Sequence, residues 1–313
     1  MSMTFTTLAS LTPFSWNPIE DLQTIFQYAF MRNAFAAGTI VAIVAGIVGY
    51  FVVLRNLSFA GHSLSHSGFA GATAAVVIGA SPVSGLLVFT IGSALIMGAL
   101  GKRLHGRDVI VGVVLAWTLG LGIFFLSLYS GYANQAYSIL FGQILGISQN
   151  DVQVTFFTSA ATLLAIVLIY RPLLFASLDE EIAESRGIPT RLVGIIFLII
   201  VALAVSAATQ VVGVLLIFSL LVTPAAIAER LSTHPPTVIL LSVVLAVLFT
   251  WAGLLVAFYF PYPVSFFITS FAFLAYIIIR MLPITQEGTI SFIKSKRGLS
   301  SKNVQDHAIV GNT

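Results

Sequence analysis

The sequence predicts an all-α, polytopic membrane protein because of its composition, its long apolar runs and the placement of its basic residues. Of 313 residues, 58% are hydrophobic and 8% are charged, whereas about 25% of the residues in an ordinary soluble domain are charged. Such a chain has too few polar residues to cover a globular surface in water. The absence of cysteine excludes disulfides and thiolate metal sites. Membrane topology explains the basic residues more simply than nucleic-acid binding does, and no nucleic-acid partner is expected.

Nine segments are long and apolar enough to cross a membrane. A helix needs about 20 apolar residues to span the hydrocarbon core, and prolines or charged residues punctuate the sequence between most of these segments. The nine predicted spans are 33–54, 57–79, 82–101, 109–129, 152–171, 191–209, 211–229, 236–260 and 263–282. The break at Gln210 is the least secure, because this stretch also suits a broken, re-entrant segment. An eight-span variant is the alternative.

The basic residues predict the orientation. In the nine-span arrangement, all but Arg32 of the 14 Lys and Arg residues fall on the same side of the membrane. Because basic loops stay in the cytoplasm, we expect the C-terminus inside and the N-terminus outside. The predicted organisation is an extracytoplasmic N-terminal segment (1–30), a transmembrane domain (31–283) and a cytoplasmic tail (284–313).

Two histidines interrupt the small and apolar residues of the second span, "SFAGHSLSHSGFAGA" (58–72). His62 and His66 are four residues apart and share one helix face, and His66 lies about 14 Å into the span at 1.5 Å per residue. Two imidazoles at this spacing can chelate one transition-metal ion. Hydrogen bonding to a neighbouring helix is the alternative role. The chelating spacing at this depth favours a transport pathway, which neighbouring Ser65 would also line.

Two further segments carry polar residues worth testing. Asp179, Glu180, Glu181 and Glu184 begin a short cytoplasmic helix that Arg186 and Gly187 close, with Gly187 as a residue suited to a helix C-terminus. On charge alone, this segment is a solvated loop.

In the seventh span, Ser219 and Thr223 lie near Pro224. Their default role is to satisfy the carbonyl that proline leaves free, and lining of the pathway is the second interpretation.

The stretch "FVVLRNLSFAGHSLSHSGFAGA" resembles the second-helix signature of the metal-type ABC importer permeases, the manganese/zinc/iron family. Arg55, Ser58, Gly61, Leu64, Ser65 and His66 match that signature. The resemblance extends through "ILFGQILGIS" (139–148), "DEEIAESRGI" (179–188) and "VVGVLLIFSLLVTPAAIA" (211–228). The family usually has Asp where this chain has His62, so a ligand role carries over to His66 and only conditionally to His62.

The resemblance implies a type II ABC importer-like permease in a bacterial cytoplasmic membrane, surrounded by lipid. Its cargo would be a divalent ion of zinc, manganese or iron, with His62 and His66 as transient ligands and no resident cofactor. Its partners would be two ATPase subunits, a second permease subunit (most simply an identical copy) and an extracytoplasmic metal-binding protein. The segment with Asp179, Glu180, Glu181, Glu184 and Gly187 would be the coupling helix that docks on the ATPase. The sequence has no Gly-x-x-x-x-Gly-Lys-Ser/Thr motif, so this chain is not expected to be an enzyme.

Two other functions remain open from the sequence. An ion-coupled secondary transporter would use the histidines as a proton relay, and inverted repeats would then be expected. A related ABC permease would carry a metal chelate in a wider cavity.

Overall fold

The described part of the chain is helical throughout. The computed structural model describes residues 18–101, 107–128, 142, 144–260 and 262–282. The helices are α1 (Pro18–Gln27), α2 (Ala29–Leu54), α3 (Ser58–Val77), α4 (Pro82–Leu100), α5 (Arg107–Leu128), α6 (Gln149–Leu178), α7 (Glu180–Ser185), α8 (Thr190–Val212), α9 (Val214–Leu231), α10 (Pro235–Tyr259) and α11 (Val264–Met281), with a 3₁₀ turn at Ile144–Gly146.

Each predicted span coincides with one long helix, which confirms the all-α polytopic class. Within the described residues, α2, α4, α5, α6, α8, α10 and α11 are long and apolar enough to cross a membrane. The other two long helices are α3, with 20 residues, and α9, with 18 residues. The exact number of spans, nine or eight, stays a prediction.

Two helices form the centre of the bundle. In their most apolar stretches, 67% of the residues of α2 and 72% of those of α8 are buried, against 22% for α5 and α6. Helix α2 packs on α6, α8, α9 and α10, and α8 packs on α3, α4 and α6. The peripheral helices expose large apolar side chains such as Trp117, Phe157 and Leu168, as a surface in contact with lipid requires.

Helix α3 carries two histidines, four serines and a threonine, and it lies among α4, α5, α8 and α9. Gly71 packs directly against α4, because a methyl group on Gly71 would overlap the carbonyl oxygen of Gly85 in α4. Small residues let membrane helices approach closely. The α3–α4 pair therefore depends on two facing glycines.

Two helix ends differ from the prediction. Helix α6 runs on past Arg171 to Leu178, so its 30 residues extend about 45 Å at 1.5 Å per residue, longer than a hydrocarbon core of about 30 Å. The break near Gln210 lies at Gly213, whose φ of +83° ends α8. Gln210 stays helical, since its side-chain Nε2 donates a hydrogen bond to the carbonyl oxygen of Ser206 at 3.4 Å.

Several predictions fall on residues outside the described ranges. These are most of the N-terminal segment, the outer loop at 129–141 and the tail at 284–313. The contacts group residues 1–277 into one compact unit and residues 278–313 into a second. The described part of the second unit is the end of α11 and Leu282. The predicted boundaries after residues 30 and 283 stay predictions.

The α3–α4 contact can be tested with two glycines of one helix. We expect Gly85→Ala to lower the stability of the folded protein by about 1–3 kcal/mol, because the new methyl group has no space beside Gly71. Gly92, also in α4, has no heavy atom within 4 Å of an added Cβ, so Gly92→Ala serves as the control. Thermal unfolding in detergent measures both variants, and equal stability of the two would contradict the close contact.

Candidate functional site: a histidine pair and a cytoplasmic helix

The two histidines of α3 lie one above the other on the same face. Their ring centroids are 4.6 Å apart and their planes meet at 80°. In the first half of α3, the half-exposed or exposed positions are Ser58, Phe59, His62 and His66, whereas the intervening positions are buried. The face that carries the imidazoles is therefore the one that the surrounding helices leave accessible.

The imidazoles retain nitrogen atoms without hydrogen-bond partners. The Nδ1 atoms of His62 and His66 are both buried, and no hydrogen bond to either is found within the described residues. Buried polar atoms are normally paired. The packing role considered from the sequence requires a hydrogen bond to a neighbouring helix, and these Nδ1 atoms do not make one to any residue that the structure describes.

Helix α9 contributes an aromatic wall beside the pair. The ring of Phe218 lies 4.9 Å from that of His62, centroid to centroid, at an interplanar angle of 66°. Sequence analysis did not identify Phe218, because a contact between two helices that are distant in the chain leaves no local pattern. The sequence does indicate the adjacent Ser219, because it lies near Pro224.

Ser219 and Thr223 line a cavity of about 380 Å³ between α9 and α11. Thr269, Phe273 and Tyr276 of α11 complete its wall. Ser65 lies differently, since its side chain is 1% exposed and its hydroxyl donates to the carbonyl oxygen of Gly61 at 3.0 Å. The structure thus brings Ser219 and Thr223 together on one accessible face and keeps Ser65 inside the bundle.

In the part of the chain that the structure describes, no group of three or more His, Cys, Asp or Glu residues is placed to hold one metal ion. The histidine pair is a two-ligand arrangement within one chain. Its two nitrogen donors suit zinc, copper, iron or nickel better than magnesium or calcium.

The predicted short helix is present as α7, and its cytoplasmic position stays a prediction. Asp179 caps its N-terminus, where the Oδ1 atom accepts a hydrogen bond from the backbone N–H of Ile182 at 2.9 Å. Gly187 follows the helix with φ of +82°, a left-handed conformation that glycine adopts without steric cost. The two residues therefore fix where α7 begins and ends.

Side-chain contacts attach α7 to the helices on either side. The Oε1 atom of Glu184 accepts a hydrogen bond from the Thr190 hydroxyl at 2.6 Å, which links α7 to the start of α8. The guanidinium of Arg186 lies over the Phe175 ring of α6, 5.6 Å from its centroid. Glu180 and Glu181 are exposed and Ala183 is buried. Glu184 is therefore part of the fold, whereas Glu180 and Glu181 face outward.

A bundle of long apolar helices around a polar helix, with a short charged helix at one end, defines the class of multi-pass membrane permeases. Residues 27–282 match the family model described as the ABC 3 transport family. The chain belongs to this family, which confirms the predicted membership of the metal-type ABC importer permeases. Such a permease is a transport subunit and not itself an enzyme.

Individual relatives agree with the family. The manganese transport system membrane protein MntC of Halalkalibacterium halodurans is 30% identical over 231 residues, which cover 74% of this chain and 79% of that protein. The manganese import system permease protein ScaB of Streptococcus pneumoniae is 31% identical over 242 residues, covering 77% and 86%. Among solved structures, PsaBC from Streptococcus pneumoniae in complex with Fab superposes with a TM-score of 0.76 at 28% identity, covering 86% of this chain and 97% of that one.

Proposed function

We propose that this chain is the membrane-spanning subunit of an ABC importer that takes up divalent transition-metal ions. The observation that carries the proposal is the edge-to-face pair of His62 and His66, whose buried Nδ1 atoms have no hydrogen-bond partner among the described residues. Two relatives that are 30% and 31% identical to this chain are named as manganese transport and import proteins. The ion is cargo, and the proposal includes no resident cofactor.

The residue at position 62 bears on which ion is carried. The family usually has Asp at the position of His62, so this chain presents a neutral nitrogen donor instead of a charged oxygen donor. Imidazole suits zinc and iron, whereas carboxylate suits manganese. We infer that this chain favours zinc or iron over manganese more than relatives with the carboxylate do. Two ligands from one chain also suit the weak, transient binding that conduction requires.

The route beyond the histidines follows α9. Phe218 contacts His62, and Ser219 and Thr223 line the cavity between α9 and α11. Hydroxyl groups on this wall supply polar contacts to a hydrated ion inside the membrane. The Ser65 hydroxyl bonds within α3, to the carbonyl oxygen of Gly61, and Ser65 does not line the cavity.

The complete importer would contain two copies of this permease, two ATPase subunits and an extracytoplasmic binding protein that delivers the ion. Helix α7 would be the coupling helix. Leu178, the last residue of α6, exposes 63% of its surface, and Ile182 in α7 exposes 48%. The exposed Glu180 and Glu181 lie between them. An apolar side chain ringed by charge is the usual composition of the centre and rim of a protein interface.

The ligand role of His66 can be separated from a packing role. Replacement by Asn keeps a hydrogen-bonding group, so a packing role predicts a loss of about 1 kcal/mol in stability and continued transport. If His66 is a ligand, uptake should collapse at normal expression, because an amide is a poor donor to a transition metal. Uptake of zinc, manganese and iron into cells, at matched membrane levels, measures the difference.

His234→Asn is the matched control for this experiment. His234 is exposed and precedes α10, so its replacement should leave uptake unchanged. Normal uptake by His66→Asn would contradict the proposed pathway at this pair.

His62 should determine selectivity. We expect His62→Asp to retain uptake and to shift competition between ions toward manganese, because it restores a carboxylate oxygen beside the His66 imidazole. The measurement is uptake of zinc in the presence of graded manganese, and of manganese in the presence of graded zinc. An unchanged preference in His62→Asp would mean that His62 does not contact the ion.

The coupling role of α7 depends on its exposed apolar residue. We expect Ile182→Asp to abolish stimulation of the ATPase while the permease still inserts and folds, because a charge replaces the apolar contact. Ile182→Leu keeps that contact and should behave as the wild type. Glu184→Ala should instead lower the thermal stability of the permease alone, since it removes the bond to Thr190. Full ATPase stimulation with Ile182→Asp would reduce α7 to a linker.

A further inference from the structure

Arg55 lies at the corner between α2 and α3. It follows the last residue of α2, and Asn56 after it adopts a left-handed conformation with φ of +55°. Backbone hydrogen bonds close the corner, from the N–H of Asn56 to the oxygen of Val53 at 3.0 Å and from that of Leu57 to the oxygen of Val52 at 2.8 Å. Helix α3 begins directly afterwards, at Ser58. A displacement of Arg55 therefore moves the first turn of α3.

The side chain of Arg55 reaches two other helices. Its Nη1 donates a hydrogen bond to the Oγ atom of Ser177 in α6 at 3.3 Å. Its guanidinium also lies over the ring of Phe197 in α8, 6.0 Å from the centroid. The Ser177 hydroxyl donates its own proton to the carbonyl oxygen of Leu173 at 2.5 Å. This bond orients the Ser177 oxygen as an acceptor for Arg55.

The last turn of α6 connects this corner to α7. Ser177 is two residues before Asp179, the N-terminal cap of α7, and Phe175 carries the guanidinium of Arg186 from the other end of α7. Two arginines thus contact the end of α6: Arg186, which follows α7 in the chain, and Arg55, which precedes α3. A continuous series of contacts runs from α7 through Ser177 and Arg55 to the helix that carries His62.

We propose that Arg55 is a positioning residue, which transmits movements of α7 through Ser177 to the histidine pair. The inference rests on the proposed function of this chain as a metal permease with α7 as its coupling helix. When the α6–α7 junction moves, the guanidinium carries the α2–α3 corner with it, and the start of α3 shifts under His62 and His66. Without this contact, the ATPase still hydrolyses ATP, but the histidine pair no longer moves with α7.

The planar guanidinium is suited to this role. It donates to Ser177 through Nη1 while its central carbon lies over the Phe197 ring, 6.0 Å from the centroid, an arrangement that the compact ammonium of lysine does not reproduce. Arg55→Lys keeps the positive charge on the cytoplasmic side and hence the membrane orientation. Ser177→Ala removes the acceptor with a minimal change in volume. The two variants therefore attack one contact from opposite ends.

The experiment uses the complete importer with its ATPase and binding protein in liposomes, with zinc, manganese and iron as probes. The measured quantity is the number of ions transported per ATP hydrolysed. We expect Arg55→Lys and Ser177→Ala each to lower this ratio about fivefold or more, the lower end of coupling between distant sites. The double variant should be no worse than the single ones, because both remove the same contact.

Arg191→Lys is the matched control, since Arg191 Nη2 donates to the carbonyl oxygen of Ala99 at the same distance of 3.3 Å and links α8 to α4. It should leave the ratio unchanged. A proportional fall of uptake and ATP hydrolysis in the Arg55 and Ser177 variants would show a purely structural contact and overturn the inference. An equal loss in Arg191→Lys would overturn it as well. Absence of zinc, manganese and iron uptake by the wild type would overturn the proposed function and the inference together.

Discussion

The enclosure of a polar helix inside an apolar bundle is the constraint on which the rest of the structure depends. In hydrocarbon, each hydroxyl of α3 needs a partner within the protein. The Ser63 hydroxyl donates to the carbonyl oxygen of Val111 in α5 at 3.3 Å, and that of Ser67 lies 3.4 Å from the Thr118 hydroxyl of the same helix. Helix α5 therefore satisfies the polar side of α3, while Gly71 brings α4 close on another side.

Much of this fold could be predicted because the bilayer imposes a simple length rule. Each predicted span corresponds to a helix, and the break at Pro82 is found where proline placed it. The predictions of helix ends are wrong where the local sequence carries no signal for the end. The sequence predicts the break between the sixth and seventh spans at Gln210, yet the Gln210 amide bonds within α8 and the helix ends before Gly213. Helix α6 continues to Leu178, past the length that a bilayer requires. This continuation depends on packing and not on the thickness of the bilayer.

The candidate site shows the same division. The i, i+4 spacing of His62 and His66 was sufficient to place their rings together, and the acidic turn before Gly187 was sufficient to predict α7. The aromatic partner of the histidine pair was not predictable, because Phe218 reaches His62 from a helix more than a hundred residues away in the chain. Sequence periodicity describes one helix at a time, whereas the pairing of helix faces is set by the whole bundle.

The distribution of polar contacts on α3 explains why the imidazoles, and not the hydroxyls, are left for a ligand. A serine hydroxyl in a helix can donate to the carbonyl four residues earlier, as Ser65 and Ser67 do to Gly61 and Ser63. The Nδ1 atoms of His62 and His66 make no such bond to any residue that the structure describes. Helix α9 offers the histidines the aromatic ring of Phe218, which has no lone pair and no acidic proton for Nδ1. The same packing that satisfies the hydroxyls of α3 thus keeps its two histidines chemically available.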